Sequence, residues 1–103
     1  ATGNEPDNPM LFAVHALDHD GALERRLANY DAHRSYLAAS PIRTVVSGPL
    51  LADDGETMIG SLFIVEAETN DEVAAFNRAD PFAAANVWKR VDIHAFSKRV
   101  DNR

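Results

Sequence analysis

Apolar positions along the chain follow two spacings, one typical of strands and one typical of helices. Compact apolar runs cover residues 10–17, 42–50 and 58–67, and Asp-Gly or Gly-Pro turn signals close the first two. A fourth segment, residues 87–97, alternates between two faces, as a strand does. One face of it is predicted to hold Val91, Ile93 and Ala95, and the other Trp88, Arg90, Asp92, His94 and Phe96.

Two segments between these strands have helical spacing. The first, residues 22–39, follows Asp20 as its predicted N-cap and ends before a proline. Its apolar residues fall on a common stripe of Leu23, Leu27, Tyr30 and Leu37. The second, residues 71–79, is predicted to be capped by Thr69 or Asn70, and acidic residues in its first turn suit its positive end.

Asp80 and Pro81 are predicted to begin a further turn or short helix, because Asp caps helices and Pro is tolerated at their first position. The order is then βαββαβ, the ferredoxin-like α+β plan with a four-stranded antiparallel sheet. Two helices cover only one face of that sheet, so we expect the other face to pack against a second copy in a homodimer. The bare face is predicted to carry Trp88, Phe96 and part of the strand with Phe12 and Val14. Alternatively, the polar residues of the last strand line a pocket there.

The amino-acid composition restricts the classes of binding partner and of chemical site. The 103 residues include ten Lys and Arg against sixteen Asp and Glu, and the net charge of −6 argues against a broad nucleic-acid surface. The chain has no cysteine, which excludes disulfides and thiolate sites and is compatible with a reducing cytoplasm. No stretch approaches the ~18 apolar residues of a membrane helix. Residues 1–9 predict a flexible leader before one domain over residues 10–103, with Met10 as the natural start.

Candidate chemistry lies on the first helix. Residues three, four and seven apart share a helical face, so Arg26, Tyr30 and His33 are expected to project together. A partly buried His oriented by a carboxylate transfers protons near neutrality, which makes His33 with Asp80 the predicted catalytic pair. The alternative is that Asp80 only caps the following turn and His33 is a half-buried helical residue.

Four further residues are predicted to bind a substrate: Arg26, Tyr30, Ser61 and His15. Arg26 clamps a carboxylate, or else pairs along the helix surface with Glu24 or Asp31. Ser61 follows a glycine that lets a ligand approach the backbone. A metal site is not predicted, because the histidines lack ligand spacing, and no cofactor is predicted, because glycine-rich nucleotide motifs are absent from the sequence.

Five short motifs occur in register along the chain: Met10-Leu11-Phe12-Ala13-Val14, Arg26 with Ala32-His33 and Leu37, Gly48-Pro49, Gly60-Ser61, and Asp80-Pro81-Phe82. Together they resemble the YciI-like (YCII-related) proteins over residues 10–96. The resemblance implies a dimeric α+β barrel, related in fold to muconolactone isomerases and chlorite dismutases. It also implies a His–Asp active site, carried here by His33 and Asp80. One class in that family eliminates chloride from chlorinated hydroxyquinols.

The helix motif departs from the family pattern, since Tyr30 stands where the family commonly has an arginine three residues before the histidine. Our leading hypothesis is a cofactor-independent lyase or isomerase in which His33 moves a proton and Asp80 orients it. Arg26 and Ser61 then bind a developing oxyanion or carboxylate. The competing hypothesis is a non-catalytic dimer that binds a metabolite or a protein, favoured if the pair is apart and faces no cavity. A haem oxidoreductase, suggested by the chlorite dismutase relation, is a third; a colourless protein would dismiss it.

Overall fold

The computed structural model describes residues 10–103, and the expected leader, residues 1–9, lies outside that range. The elements in chain order are β1 (Met10–Asp18), α1 (Leu23–Ala28), α2 (Tyr30–Ala39), β2 (Arg43–Leu51), β3 (Met58–Ala67), α3 (Asn70–Arg78), α4 (Pro81–Ala84) and β4 (Trp88–Phe96). The strands form one antiparallel sheet in the order β2-β3-β1-β4. The predicted ferredoxin-like α+β fold is confirmed.

The ends of the later helices follow local capping rules. The Thr69 hydroxyl accepts a hydrogen bond from the backbone N–H of Glu72 at 3.2 Å, which caps α3 as predicted. Asp80 caps α4 by accepting from the backbone N–H of Phe82 at 2.8 Å, and Pro81 takes the first helical position. The Asp80 carboxylate is therefore fixed by its own backbone turn.

The first helical segment differs from the prediction at its start and in its middle. Ala22 rather than Asp20 holds the N-cap position, with no side-chain cap, so the expected cap is wrong. Asn29 leaves the helical region, at φ −107° and ψ 7°, and its side-chain amide donates to the Arg25 carbonyl at 2.8 Å. Residues 22–39 therefore form two helices, α1 and α2.

Three of the four residues of the predicted apolar stripe do not face the core, whereas Leu37 is partly buried and packs against it. Leu23, Leu27 and Tyr30 are exposed by 39%, 57% and 47%. The buried residues of α1 and α2 are Arg26 and His33. Here a charged and a titratable residue lie where apolar residues normally do, and only their hydrogen-bond partners make that burial affordable.

The core lies between the helices and one face of the sheet. Phe12 and Val14 of β1 and Phe63 of β3 point into it with at most 3% exposure. Phe82 from α4 closes the layer and is fully buried. Across residues 10–103 no helix has the length and apolar character needed to cross a membrane.

Trp88 is on this core side, which corrects the predicted bare face. Trp88 pairs with Asp18 whereas Arg90 pairs with Leu17, so Lys89 is an extra residue in β4. That bulge turns Trp88 to the helix side, where its ring meets the edges of the Phe63 and Phe82 rings at 6.1 and 5.8 Å between centroids. Phe12 and Val14 are likewise on the helix side. Of the four apolar residues predicted for the open face, Phe96 lies there, 43% exposed.

Candidate active site

His33 and Asp80 meet between α2 and the start of α4. His33 Nδ1 lies 2.9 Å from Asp80 Oδ1 and 2.8 Å from Oδ2. The side chains are 9% and 1% exposed, so water barely competes for the contact. The residues that the sequence places far apart therefore form one buried hydrogen-bonded pair.

The hydrogen bond with Asp80 sets the tautomer of His33. An ionised carboxylate only accepts hydrogen bonds, so Nδ1 carries the proton that is shared with Asp80. The other ring nitrogen, Nε2, is left with its lone pair when the ring is neutral. Among residues 10–103 no side chain or backbone group hydrogen-bonds Nε2, and His33 lines a cleft. The neutral imidazole is thus held with its proton on Nδ1, and the Nε2 lone pair is not used by the described residues.

Aromatic rings fix the plane of the imidazole. The Phe82 ring stacks on it, with centroids 4.0 Å apart and planes 10° apart. The Phe63 ring meets it edge-on at 5.8 Å. Phe82 follows the capping carboxylate of α4 by two residues, so one short turn supplies both the hydrogen bond and the stacking surface.

Arg26 is bound on the protein side rather than free to clamp a ligand. Its Nε and Nη2 donate to the two carboxylate oxygens of Asp18, each at 2.8 Å, and both side chains are about 95% buried, with exposures of 4% and 5%. The expected surface pairs with Glu24 or Asp31 are wrong, because the carboxylate partner comes from the end of β1. Asp18 is a site residue that sequence reasoning missed; its signal was its position at the end of the first predicted strand.

The Arg26 guanidinium also contacts Ser61, another of the residues predicted to bind a substrate. Arg26 Nη2 donates to the Ser61 hydroxyl oxygen at 2.8 Å, and Ser61 is 3% exposed. Since that oxygen accepts from Arg26, the Ser61 O–H remains able to donate to a ligand. The Arg26 Cζ also lies 4.8 Å from the centroid of the Phe82 ring that supports His33. Arg26 therefore connects Asp18, Ser61 and the histidine's stacking partner.

These residues border a cleft of about 980 Å³ between the first helices and strands β2 and β3. Its lining contains all of His33, Arg26, Ser61 and Tyr30. Thr44 also lines it, and the hydroxyl oxygen of Thr44 has no hydrogen-bond partner within the described part of the chain. The size is at the upper end of small-molecule pockets, which span about 300–1,000 Å³.

His15 is not brought to the cleft. It pairs with Leu62 and Asp92 in the sheet and points, exposed, from the open face, because its neighbours Val14 and Ala16 face the core. In the strand the odd positions face away from the helices, and this parity was readable from the alternation. Within residues 10–103 no three His, Asp or Glu side chains cluster closely enough to hold a metal ion.

Tyr36 is a further polar contact beneath the pair. Its hydroxyl donates to the Phe76 carbonyl at 2.6 Å, and its ring stacks on Phe76 at 5.5 Å. Burial, and then the nearby charge of Asp80, raises the pKa of the Tyr36 hydroxyl above its ordinary value. Tyr36 therefore stays neutral and structural at pH 7.

The fold and the site define a class: a ferredoxin-like α+β protein in which a helical histidine, held by a carboxylate, faces a cleft beside the sheet. Comparison with known families is more specific. The YCII-related domain matches residues 10–97, and the chain belongs to this family. The resemblance drawn from the five motifs is thereby confirmed.

The relatives cover most of the chain. Protein YciI of Escherichia coli O6:H1 and protein YciI of Shigella flexneri are each 33% identical over 96 residues, covering 86% of this chain and 98% of theirs. A solved structure, the 5-chloro-2-hydroxyhydroquinone dehydrochlorinase of Burkholderia phenoliruptrix AC1100 in complex with 2,5-dihydroxybenzoquinone, is 36% identical. It covers 85% of this chain and 94% of its own, with a TM-score of 0.74.

Proposed function

We propose that this protein is a small-molecule enzyme of lyase or isomerase type that works by proton transfer at His33. The observation that carries the proposal is the buried contact of 2.8 Å between His33 Nδ1 and Asp80 at the wall of the cleft. A histidine that binds a carboxylate through one nitrogen and faces a cleft with the other has the arrangement of a general base.

In the proposed reaction, His33 Nε2 accepts a proton from an acidic C–H or O–H of the substrate. The electron pair moves into the substrate, towards an oxygen or a leaving group, and Asp80 stabilises the imidazolium that forms. The imidazolium then returns the proton to another atom of the substrate, which isomerises it, or releases the proton to solvent after elimination.

Ser61 is the proposed donor to the oxygen on which negative charge develops. Its hydroxyl oxygen is held by Arg26, so its own O–H is oriented away from that bond. Arg26 is in this proposal a positioning residue, because Asp18 neutralises its charge. The predicted clamp of a substrate carboxylate by Arg26 is replaced by this indirect role.

Two observations favour an enzyme over a non-catalytic binding module. His33 and Asp80 are within hydrogen-bond distance and His33 borders a cleft, which is the geometric condition that separates the two hypotheses. The 36% identical neighbour is a dehydrochlorinase by name, and its complex holds a flat dihydroxybenzoquinone. Elimination of HCl from a chlorinated hydroxyhydroquinone requires removal of a proton as chloride leaves, and proton removal is the step assigned to His33.

The test combines NMR of the His33 imidazole nitrogens with a measurement of chloride release from the substrate. We expect the ¹⁵N shifts of His33 to report a proton on Nδ1, and 5-chloro-2-hydroxyhydroquinone to lose chloride in the presence of the protein. In Asp80→Asn the amide keeps the oxygen that caps α4 and turns its NH₂ towards Nδ1, so the proton moves to Nε2. Turnover should fall by about 10⁴-fold, as when a triad aspartate becomes asparagine.

Glu24→Gln is the matched control, since it removes one carboxylate from an exposed position of α1. It should leave the His33 tautomer and chloride release unchanged. An Asp80→Asn protein with the parental tautomer and the parental turnover would overturn the proposed base. Binding of 2,5-dihydroxybenzoquinone without any turnover would instead favour the binding module.

We propose in addition that two copies pack their open sheet faces together as a homodimer. Phe96 and Leu62, 43% and 37% exposed, lie on that face with Leu11 of β1. Packing of a second sheet would remove this apolar area from water. Light scattering should give twice the chain mass at micromolar concentration, and Phe96→Glu should shift it to the monomer; a monomer mass for the parent protein contradicts the proposal.

A further inference from the structure

The cleft is lined by arginines although the chain is acidic. Three arginines line it, namely Arg26, Arg34 and Arg43, and no Asp or Glu side chain is among the lining residues. The net charge of the whole chain is −6, so this concentration of guanidinium groups is local. A concave site lined by one sign of charge attracts ligands of the other sign.

Two of the three guanidinium groups are already paired. Arg26 is held by Asp18, and Arg43 Nη1 donates to Glu66 at 2.7 Å. Arg34 is different, since no carboxylate among residues 10–103 lies within salt-bridge distance of it. Its charge is thus the one available to a ligand in the described cleft.

Arg34 is held in place by an aromatic ring. It lies one helical turn after Tyr30, and its Cζ is 5.6 Å from the centroid of the Tyr30 ring. Arg34 and His33 both line the cleft, and they differ in burial: Arg34 is exposed, whereas His33 is 7% exposed. A ligand in the cleft therefore has both a base and an arginine charge among the residues around it.

We propose that Arg34 binds the anionic group of the substrate, and that Tyr30 positions it. The substrate class is a small organic anion with a flat apolar body, because the cleft lining adds the apolar side chains of Leu37, Met58 and Phe82 to this charge. This inference rests on the proposed function, since it assigns a substrate class to the same cleft. It moves the anion-binding role from Arg26 to Arg34.

The experiment measures binding without turnover, with benzoate as the anionic probe and benzamide as its neutral counterpart. Benzoate should bind the parent protein saturably in an isothermal or NMR titration, and benzamide at least several-fold more weakly. Arg34→Gln should weaken benzoate by about ten-fold, the value of one charge-assisted hydrogen bond at a partly solvated site. Benzamide binding should not change.

Arg78→Gln is the matched control, because it removes the same charge from an exposed site on α3 outside the cleft. Tyr30→Phe should keep benzoate affinity, and Tyr30→Leu should lower it severalfold by removing the ring beneath the guanidinium. If Tyr30 had only a structural role, Tyr30→Phe and Tyr30→Leu proteins of equal stability would bind benzoate with equal affinity.

His33→Gln separates this proposal from the catalytic one. It should abolish chloride release and leave the Arg34-dependent preference for benzoate intact. If Arg34→Gln and Arg78→Gln bind benzoate equally, or if the parent protein binds benzoate no better than benzamide, the anion site is overturned while His33 catalysis stands. If benzoate discrimination persists but no variant affects turnover, the catalytic proposal fails alone.

Discussion

The two helical halves that cover the sheet are built on opposite principles. Helix α3 buries Val73 and Phe76, at 0% and 6% exposure, and turns its acidic residues to water. Helices α1 and α2 bury Arg26 and His33, and the α1 leucines Leu23 and Leu27 are exposed to solvent. Apolar packing predominates at α3, where Asn77 is the buried polar residue, whereas α1 and α2 bury polar pairs and add the partly buried Tyr36 and Leu37 at the edge of the core.

The two halves differ because α1 and α2 carry polar side chains of the candidate site and α3 does not. A buried charge costs several kcal/mol unless a partner and further hydrogen bonds replace its hydration. Asp18 and Asp80 supply these partners, each from an element other than the helix that carries the cation or imidazole. The α1–α2 half therefore depends on a few directional contacts, whose geometry is also what a catalytic site requires.

Removal of Asp18 should break the polar half most severely. Asp18→Ala leaves the Arg26 guanidinium buried without its carboxylate, and we expect a loss of about 3–5 kcal/mol in the free energy of unfolding. Urea denaturation followed by circular dichroism measures it. The double variant Asp18→Leu, Arg26→Met should recover most of that loss, because neither charge remains. An exposed ion pair contributes up to ~1 kcal/mol. If the free energy of unfolding of Asp18→Ala is within about 1 kcal/mol of the parent value, this account is contradicted.

The apolar half should respond by a different mechanism. Phe76→Ala removes a ring from beneath α3 and leaves a cavity, with an expected loss of about 3 kcal/mol. The His33–Asp80 contact is on the other half, so the ¹⁵N shifts of His33 should be unchanged in the folded fraction. Phe76→Leu, which keeps most of the volume, should lose less than half as much. A changed His33 tautomer in Phe76→Ala would show that the halves are not independent.

The parts of the fold that the sequence predicts are those with local signals. The bounds of β3, residues 58–67, and the Thr69 cap match the structure, since both depend on neighbours in the chain. Asp80 was also predicted at the start of a turn for the same reason. The pairing of Asp80 with His33 is predicted from their residue types, with a capping-only role for Asp80 as the alternative, and the motif resemblance then favours the pair.

What the sequence did not predict depends on contacts between distant segments. The bulge at Lys89 reverses the side of Trp88, and alternation alone assumes no bulge. On α1 the face with Leu23 and Leu27 is exposed and Arg26 is buried against Asp18, a pair that forms only where β1 and α1 pack together. His15 was grouped with the site by residue type, although strand parity puts it on the other face.

Tyr36 joins the two halves and offers a test of intermediate size. Tyr36→Phe deletes the hydrogen bond to the Phe76 carbonyl, at a cost of about 1 kcal/mol at pH 7. The pKa of Tyr36 is raised in the folded protein, so its stabilisation is complete below the unfolded pKa of about 10 and is lost as the pH rises towards the folded pKa. The difference between parent and variant should therefore shrink above that pH. A difference independent of pH would assign the cost to packing.

The smallest effect is expected at an apolar residue of the polar half. Leu27 is 57% exposed on α1, so Leu27→Gln gives up little buried area and should change the free energy of unfolding by no more than about 0.5 kcal/mol. The same replacement of a buried leucine would lower the free energy of unfolding several times as much. Leu27 therefore distinguishes the two halves. Thermal and urea denaturation at two protein concentrations would measure it. A loss of more than 1 kcal/mol that grows with concentration, beyond the ~0.5 of a surface site, would mean that a second copy covers Leu27 and that α1 is part of an interface.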